Sequence, residues 1–338
     1  MSRPPTEIAR AETLARSPAE STPKRTHGSM RRTSHIDMIP LGASMETGLV
    51  LDGAARDFWT DGRGAPHLIG EAAVRATLGA DRILEQLDTR PLGPDVSPLL
   101  GRAVAAGFRA VVDEVAARDR AAKTPLYLLL DDLPVASLIA GYADLYAHEP
   151  GQPESEGRRN ARGLKADICA GWASDATMMQ AIAREGSFPA PIGPPAPALE
   201  RNDDPQGWHE IPKLGRGAMR RRRRIDLIDA DPWRVDAMFR DTHVGPAGDE
   251  TVVHEYSLDA TIERESLRVL ACSADPRVLP WTECPAAAAS AERLAGRRVE
   301  ELRGFVRQEL KGTSTCTHLN DLLRSLADVA PLVRQLAR

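Results

Sequence analysis

Apolar and polar residues alternate along the last third of the chain with the period of two that is typical of β-strands. In the clearest stretch Val252, His254, Tyr256 and Leu258 fall on one face, with charged or hydroxyl residues between several of them. Turn-forming residues separate four such segments, which predicts an antiparallel meander. The predicted strands are Arg220–Asp229, Trp233–Val244, Thr251–Glu263 and Leu267–Ala274.

Helical patterns follow this meander, and Gly296 and Gly312 end the first two of them. The three predicted helices are Pro285–Ala295, Val299–Leu310 and His318–Leu336. Earlier in the chain the patterns predict strands in Arg31–Trp59 and Pro125–Leu130, and helices in Ile69–Gln86, Leu99–Ala122 and Val135–Tyr146. The expected fold class is therefore α+β, an antiparallel β-meander covered by C-terminal helices.

Two short motifs occur twice in the same order. The segment Arg31–Ile39 (RRTSHIDMI) matches Arg220–Ile228 (RRRRRIDLI) at an offset of 189 residues, and Leu51–Asp57 (LDGAARD) matches Val235–Asp241 (VDAMFRD) at an offset of 184. We predict a duplicated β-hairpin unit. The alternative is that short strands rich in Arg and Asp resemble one another by composition.

These patterns divide the chain into four parts. Residues 1–30 are rich in Arg, Ser, Thr and Pro and are expected to form a disordered tail. Residues 31–148 form an N-terminal α/β part with the first hairpin copy. Residues 149–218, which include the proline-broken segment Phe188–Gln206, form a linker with irregular loops. Residues 219–338 contain the meander and its three helices.

Composition excludes several classes of partner. The net charge of −4 gives no general attraction to nucleic acid or to anionic membranes. No apolar run approaches the ~20 residues of a membrane helix. The four cysteines form no CxxC pair, so we expect reduced thiols in a cytoplasmic protein. The expected partner is a small-molecule substrate, with a homodimer as an open alternative.

The strand pattern also brings candidate catalytic residues together. If the loop Gly245–Glu250 closes its hairpin symmetrically, Asp241 lies opposite His254, with Cβ atoms roughly 4.5–5.5 Å apart. Phe239 then lies opposite Tyr256, and His243 faces Val252. A carboxylate beside an imidazole fixes its tautomer and raises its basicity, so we predict catalytic roles for Asp241, His254, Tyr256 and His243. The alternative is a core histidine that holds the hairpin together.

Two cysteines precede helix starts. Cys284 stands before Pro285, and Cys316 stands before Thr317 and His318. The positive end of a helix dipole would make such thiols easier to ionise, although packing thiols are more common. No metal is expected. If one binds, the predicted ligands are Cys284, Cys316 and His318, although their spacing matches no known zinc or iron–sulfur pattern.

The run Arg220–Arg224 has two interpretations. The first is a solvated edge strand, since charged side chains discourage pairing at the edge of a sheet. The second is a clamp that binds a substrate carboxylate. The residues expected to contact substrate are Arg224, Arg240, Glu255, Glu283, Cys316 and His318.

Several of these segments resemble a known family. They are FRDTH (Phe239–His243), HEYSLDATI (His254–Ile262), LPWTECPAAA (Leu279–Ala288) and CTHLNDLLRSLADV (Cys316–Val329). They resemble a bacterial family of domains of unknown function, number 2889, over about Arg220–Val329. The family has no settled activity. The resemblance implies a setting among catabolic genes for aromatic and acyl-CoA compounds.

The leading functional expectation is an enzyme of small-molecule catabolism that needs no organic cofactor. The chain has no Rossmann fingerprint, no P-loop and no serine nucleophile elbow. A lyase reaction on a hydroxylated aromatic compound, with lignin-derived compounds among the candidates, fits the acid–base residues. The alternatives are a metal or iron–sulfur protein, and a non-catalytic partner of a catabolic enzyme.

Overall fold

Eight antiparallel strands form one sheet in the computed structural model, which describes residues 17–146, 166–185 and 192–336. The strand order is β4-β3-β2-β1-β5-β6-β7-β8. The strands are β1 Ser29–Pro40, β2 Leu49–Thr60, β3 Pro66–Leu78, β4 Leu84–Arg90, β5 Met219–Ile228, β6 Trp233–Val244, β7 Glu250–Ile262 and β8 Val269–Val278. The predicted α+β fold and its C-terminal meander are confirmed.

The sheet consists of two four-stranded meanders that meet where β1 pairs with β5. Asp57 pairs with Gly70 in the first meander, and Asp241 pairs with His254 in the second. Each residue of the second pair follows its equivalent in the first pair by 184 positions. A β-bulge follows Asp57 and another follows Asp241. The β3–β4 and β7–β8 pairs are also interrupted at equivalent places. The repeat predicted for one hairpin therefore covers four strands in each half.

Ion pairs are exchanged between the halves at the centre of the sheet. Arg31 of β1 binds Asp226 of β5 at 2.6 Å, and Arg220 of β5 binds Asp37 of β1 at 2.5 Å. Arg31 and Arg220 occupy equivalent positions of the repeat, and so do Asp37 and Asp226. Each arginine donates through two nitrogens to its carboxylate, and all four side chains are buried. Each half thus supplies the counter-charge that the other half needs.

The prediction of a solvated edge strand for Arg220–Arg224 is wrong. The strand β5 lies at the centre of the sheet, and four of its five arginines are at most 3% exposed. Buried guanidinium groups require carboxylate partners, and these partners come from β5 itself, from the neighbouring strands and from α3. They are Asp37, Asp132, Asp226, Asp236 and Asp241.

Helices cover one face of both halves. The α-helices are α1 Phe108–Val115, α2 Ala117–Ala122, α3 Pro125–Ile139, α4 Gly141–Tyr146, α5 Thr177–Glu185, α6 Leu302–Glu309, α7 Thr317–Ser325 and α8 Val329–Leu336. A 3-10 helix spans Cys284–Leu294, where an α-helix is predicted from Pro285. The helix α3 packs on β1, β2 and β3 of the first half.

Two predictions for the first half are wrong. The segment Ile69–Gln86 contributes to β3 and β4 instead of a helix, because pairing with β2 outweighs the helix propensity of its Ala, Leu and Glu residues. The segment Pro125–Leu130 is helical instead of extended. The Thr124 side chain accepts a hydrogen bond from the Tyr127 backbone N–H at 3.2 Å, and Pro125 suits the first helical turn.

The continuous segment Pro125–Tyr146 is long and apolar enough to cross a membrane by length and composition alone. However, 83% of its most apolar window is buried inside the protein, and Asp131 within it pairs with Arg303 and Arg324. These contacts are those of a core helix.

Irregular segments cover the other face of the sheet. Residues 17–28 pack against residues 192–218, which we call the covering segment. Thr22 accepts a hydrogen bond from the Trp208 indole at 2.8 Å, and Arg25 binds Asp204 at 2.6 Å. The predicted disordered tail therefore does not include residues 17–28, which polar contacts hold in place. Residues 1–16, and residues 149–165 and 186–191 of the predicted linker, lie outside the described residues.

Two imidazoles attach the covering segment to β1. The rings of His35 and His209 are stacked, with His35 Nδ1 2.7 Å from His209 Nε2, and His209 Nδ1 lies 2.8 Å from Thr33 Oγ1. Burial, assisted by nearby Arg220 and Arg222, lowers the pKa of His35 to about 3. Burial, followed by the repulsion that a protonated His35 would exert, lowers the pKa of His209 to about 2. Both rings are neutral at neutral pH.

The central exchange predicts a large cost for removing one carboxylate. We expect Asp37→Asn to lower the free energy of unfolding by about 3–5 kcal/mol, because it leaves the buried Arg220 guanidinium without its counter-charge. The matched control is Asp52→Asn, which removes an exposed pair with Arg75 and should cost less than about 1 kcal/mol. Denaturant unfolding measures both, and equal small effects would contradict the structural role of the exchange.

The imidazole pair predicts a loss of stability in acid. Because folding lowers both pKa values from the ordinary 6.5, the unfolded chain binds more protons, and stability falls as pH drops below 6.5 towards the folded values. The double variant His35→Gln/His209→Gln should show a flatter decline over this range. His27→Gln, at an exposed histidine, is the control. Unfolding curves at several pH values give the slopes, and parallel slopes for all three proteins would exclude this source of acid sensitivity.

Candidate functional site

The site lies on the helix-covered face of the second half. Asp241 of β6 pairs with His254 of β7, as predicted from strand periodicity. The Oδ2 atom of Asp241 lies 3.3 Å from Nδ1 of His254, and the two side chains are 0% and 2% exposed. The carboxylate therefore faces one edge of the imidazole in a buried environment.

A second imidazole comes from the first turn of α7. The ring of His318 stacks on that of His254 with centroids 3.9 Å apart and planes 23° apart. The ring of Tyr142, from α4, lies perpendicular to that of His254, with ring centroids 5.1 Å apart. One ligand-type atom from each of Asp241, His254 and His318 lies within 4.8 Å of the others. Segments distant in sequence thus converge on His254.

Arg221 fixes the ionisation of this carboxylate. Burial alone would raise the pKa of Asp241, but the Arg221 guanidinium outweighs burial and holds that pKa well below its usual range. Arg221 Nε donates to one carboxylate oxygen at 2.7 Å, and Nη2 donates to the other at 2.9 Å. Asp241 is therefore a fixed negative charge beside His254.

The second imidazole is kept neutral. Burial, followed by the charges of His254 and Arg221, lowers the pKa of His318 well below its usual value. Two stacked rings at this distance would repel each other if both were protonated. His254 Nδ1 and His318 Nε2 are buried and have no hydrogen-bond partner within the described part of the chain. His318 is therefore neutral at neutral pH.

Phenol and thiol groups surround the imidazoles. The Tyr256 hydroxyl donates to the carbonyl of Cys284 at 3.3 Å, and Cys316 Sγ lies 3.8 Å from His318 Nδ1. Burial, followed by nearby thiols, raises the pKa of Tyr142 and of Tyr256 well above the usual value. These phenols remain protonated at neutral pH and can act as hydrogen-bond donors.

The expected easy ionisation of the thiols is wrong. All four cysteines are free and buried. Burial raises the pKa of Cys316 to about 12 and that of Cys284 well above its usual value. At these positions the cost of burying a thiolate exceeds the stabilisation from a helix start. A Cβ atom at Gly171 would lie 2.6 Å from Cys284 Sγ, so this thiol is also closely packed.

Other predicted site residues lie elsewhere. Arg240 and Glu255 bind each other at 2.5 Å and make further hydrogen bonds to Ala19 in the covered face opposite His254. Arg224 pairs with Asp226 and Asp236, so its guanidinium is not free to bind a substrate carboxylate as predicted.

The structure also places the predicted site residues Glu283 and His243. Glu283 accepts hydrogen bonds from the backbone and hydroxyl of Thr177. His243 stacks on Tyr146 with centroids 4.6 Å apart, and faces Thr251 instead of Val252 because of the bulge after Asp241. Burial lowers the pKa of His243 to about 4.

Periodicity in the sequence could not identify two contributors to the site. Tyr142 belongs to a helix of the other half, and no local pattern connects it with His254. Arg221 is one of five consecutive arginines. The internal repeat is the feature that singles out Arg221, because it aligns Arg221 and Asp241 with Arg32 and Asp57. In the first half Arg32 donates two hydrogen bonds of 2.6 Å to Asp57.

Comparison with known proteins gives one match. Residues 219–331 match a family model described as "Protein of unknown function (DUF2889)". The matched region contains Asp241, His254 and His318, and the match confirms the family predicted from the sequence. No curated protein and no solved structure matches the chain.

Proposed function

We propose that this protein is an enzyme that catalyses acid–base chemistry on a small molecule at His254. The observation that supports this most is the difference between the two halves of the sheet. The first half has the same strand pairing, the same bulge and the equivalent Arg32–Asp57 pair, but Gly70 occupies the position of His254. The first half forms its sheet without an imidazole at this position. The sheet of the second half therefore does not need His254 for folding, which favours a functional role.

In the proposed reaction, Asp241 orients His254 and His254 is the general base. The contact of Asp241 with Nδ1 leaves the opposite nitrogen, Nε2, to accept a proton. The contact of 3.3 Å is long for a hydrogen bond, and such contacts commonly shorten when substrate binds. Arg221 keeps the carboxylate ionised, so the carboxylate favours the protonated imidazole as it forms.

A lyase reaction on a hydroxylated aromatic compound fits these groups. His254 would take the proton of a substrate hydroxyl, and the oxygen's electron pair would form a carbonyl as the adjacent carbon–carbon bond breaks. The released electron pair would then take up a proton, returned from the imidazole. The protonated phenol of Tyr142 can stabilise a developing oxyanion, and Tyr256 can do so if its hydroxyl releases the Cys284 carbonyl. The aromatic substrate class rests on the gene setting implied by the family resemblance and on the aromatic rings around the site.

A metal centre is the second candidate. The structure favours the ligands Asp241, His254 and His318 over the predicted set of Cys284, Cys316 and His318. Two imidazoles and a carboxylate suit zinc or non-haem iron, and a bound cation would pair with the two orphaned nitrogens. Against this, both oxygens of Asp241 already accept hydrogen bonds from Arg221, whose positive charge opposes a neighbouring cation.

The catalytic role predicts separate effects on turnover and stability. We expect His254→Gln to lower turnover of hydroxylated aromatic compounds by at least about a hundredfold, the usual contribution of a general base. Its melting temperature should stay near that of the wild type, since the first half folds with Gly70 at the equivalent position. His67→Gln, at an exposed histidine, is the control for activity and stability. Unfolding of His254→Gln, or unchanged turnover, would overturn the role of the base.

Metal content separates the two candidates. Elemental measurement on the purified protein should show substoichiometric zinc and iron if His254 is a free base. Stoichiometric metal that is lost in His318→Ala but retained in Cys284→Ala would establish the metal centre and reject the metal-free base.

A further inference from the structure

A cavity of about 670 Å³ lies between helices of the two halves. The helices α1 and α3 and the loop before α1 line one side, and α6 and α7 line the other. Its volume is in the range of small-molecule sites. Apolar side chains form much of the wall, and one of them, Leu138, remains 65% exposed. The apolar lining residues include Val104, Val135, Leu138, Val306 and Leu310.

Three of the four arginines that line this cavity have carboxylate partners. Arg109 donates to Asp321 at 3.1 Å, and Arg324 lies 2.9 Å from the same carboxylate. Arg307 donates to Asp113 at 2.9 Å. These three guanidinium groups are therefore neutralised by the protein.

Arg82 differs from these three. Within the described part of the chain its guanidinium makes no hydrogen bond or ion pair, and its Nη1 atom is buried without a partner. Burial lowers the pKa of Arg82, and the charges of Asp144 and Glu46 only partly oppose this effect. A half-buried guanidinium that no carboxylate contacts is costly, and a bound anion would lower that cost.

The backbone holds Arg82 in an unfavourable conformation. Its φ angle of 63° lies in the left-handed region of the backbone, which residues other than glycine rarely adopt. Hydrogen bonds from its N–H to the Gly79 carbonyl and from the Val104 N–H to its own carbonyl fix this turn. Such strain occurs preferentially at ligand-binding sites.

The cavity shares two helices with the imidazole site. Gly141 lines the cavity, and the next residue, Tyr142, contacts His254. Thr317 lines the cavity, and the next residue, His318, stacks on His254. The elements that line the cavity therefore also carry Tyr142 and His318, the two rings that contact His254.

We propose that this cavity binds an aromatic carboxylate, with the carboxylate held by Arg82 and the ring against the apolar wall around Leu138. Its identification as substrate rests on the proposed function, whereas binding itself does not. The ligand supplies an anion in direct contact with Arg82 and an apolar body for the exposed leucine. A planar guanidinium matches a carboxylate through two parallel hydrogen bonds.

The test is calorimetric titration with 4-hydroxybenzoate and biphenyl-4-carboxylate, each compared with the corresponding neutral alcohol. We expect at least one carboxylate to bind about ten- to a hundredfold more tightly than its alcohol, as expected for hydrogen bonds to a charged group. Arg82→Gln should remove this preference. The control Arg307→Gln, at an arginine paired with Asp113, should keep it within about threefold.

Three outcomes would overturn the proposal. They are no saturable binding of either carboxylate, equal binding of acid and alcohol, or unchanged affinity in Arg82→Gln. The variant His254→Gln separates this proposal from the catalytic one. It should bind the carboxylate as the wild type does, whatever its turnover.

Discussion

The exchange of arginine and aspartate side chains between β1 and β5 is the interaction on which the rest of the structure depends. Arg31 needs Asp226, and Arg220 needs Asp37, so neither half can neutralise its central strand alone. A buried guanidinium without a partner costs several kcal/mol, whereas the paired one is tolerated. We infer that the exchange fixes the register between the halves, because a slip of one residue would bring unlike faces together.

Further buried charges extend from this centre to the helices. Arg32 binds Asp57 and Asp328, and Arg221 binds Asp241 and Asp321. Ion pairs of this kind are weak sources of stability but strong constraints on geometry. The constraint matters for the site because it holds the Asp241 carboxylate ionised and fixed beside His254.

The two halves show how one framework can carry different chemistry. Both contain an arginine–aspartate pair beside a β-bulge, and only the second places an imidazole opposite the aspartate. Gly70 leaves the equivalent position without a side chain. A site that adds two imidazoles to an existing buried carboxylate requires few changes to the fold, since the costly ionic framework is already present.

The sequence by itself determined the meander, the internal repeat and the pairing of Asp241 with His254, because strand periodicity and a short hairpin loop fix which residues face each other. It misassigned Ile69–Gln86 and Pro125–Leu130, where local propensity was ambiguous and packing decided. Only the tertiary structure placed β5 at the centre, brought His318 and Tyr142 to His254, and raised the pKa of the thiols. These outcomes depend on burial and on contacts between distant segments, which no local pattern encodes.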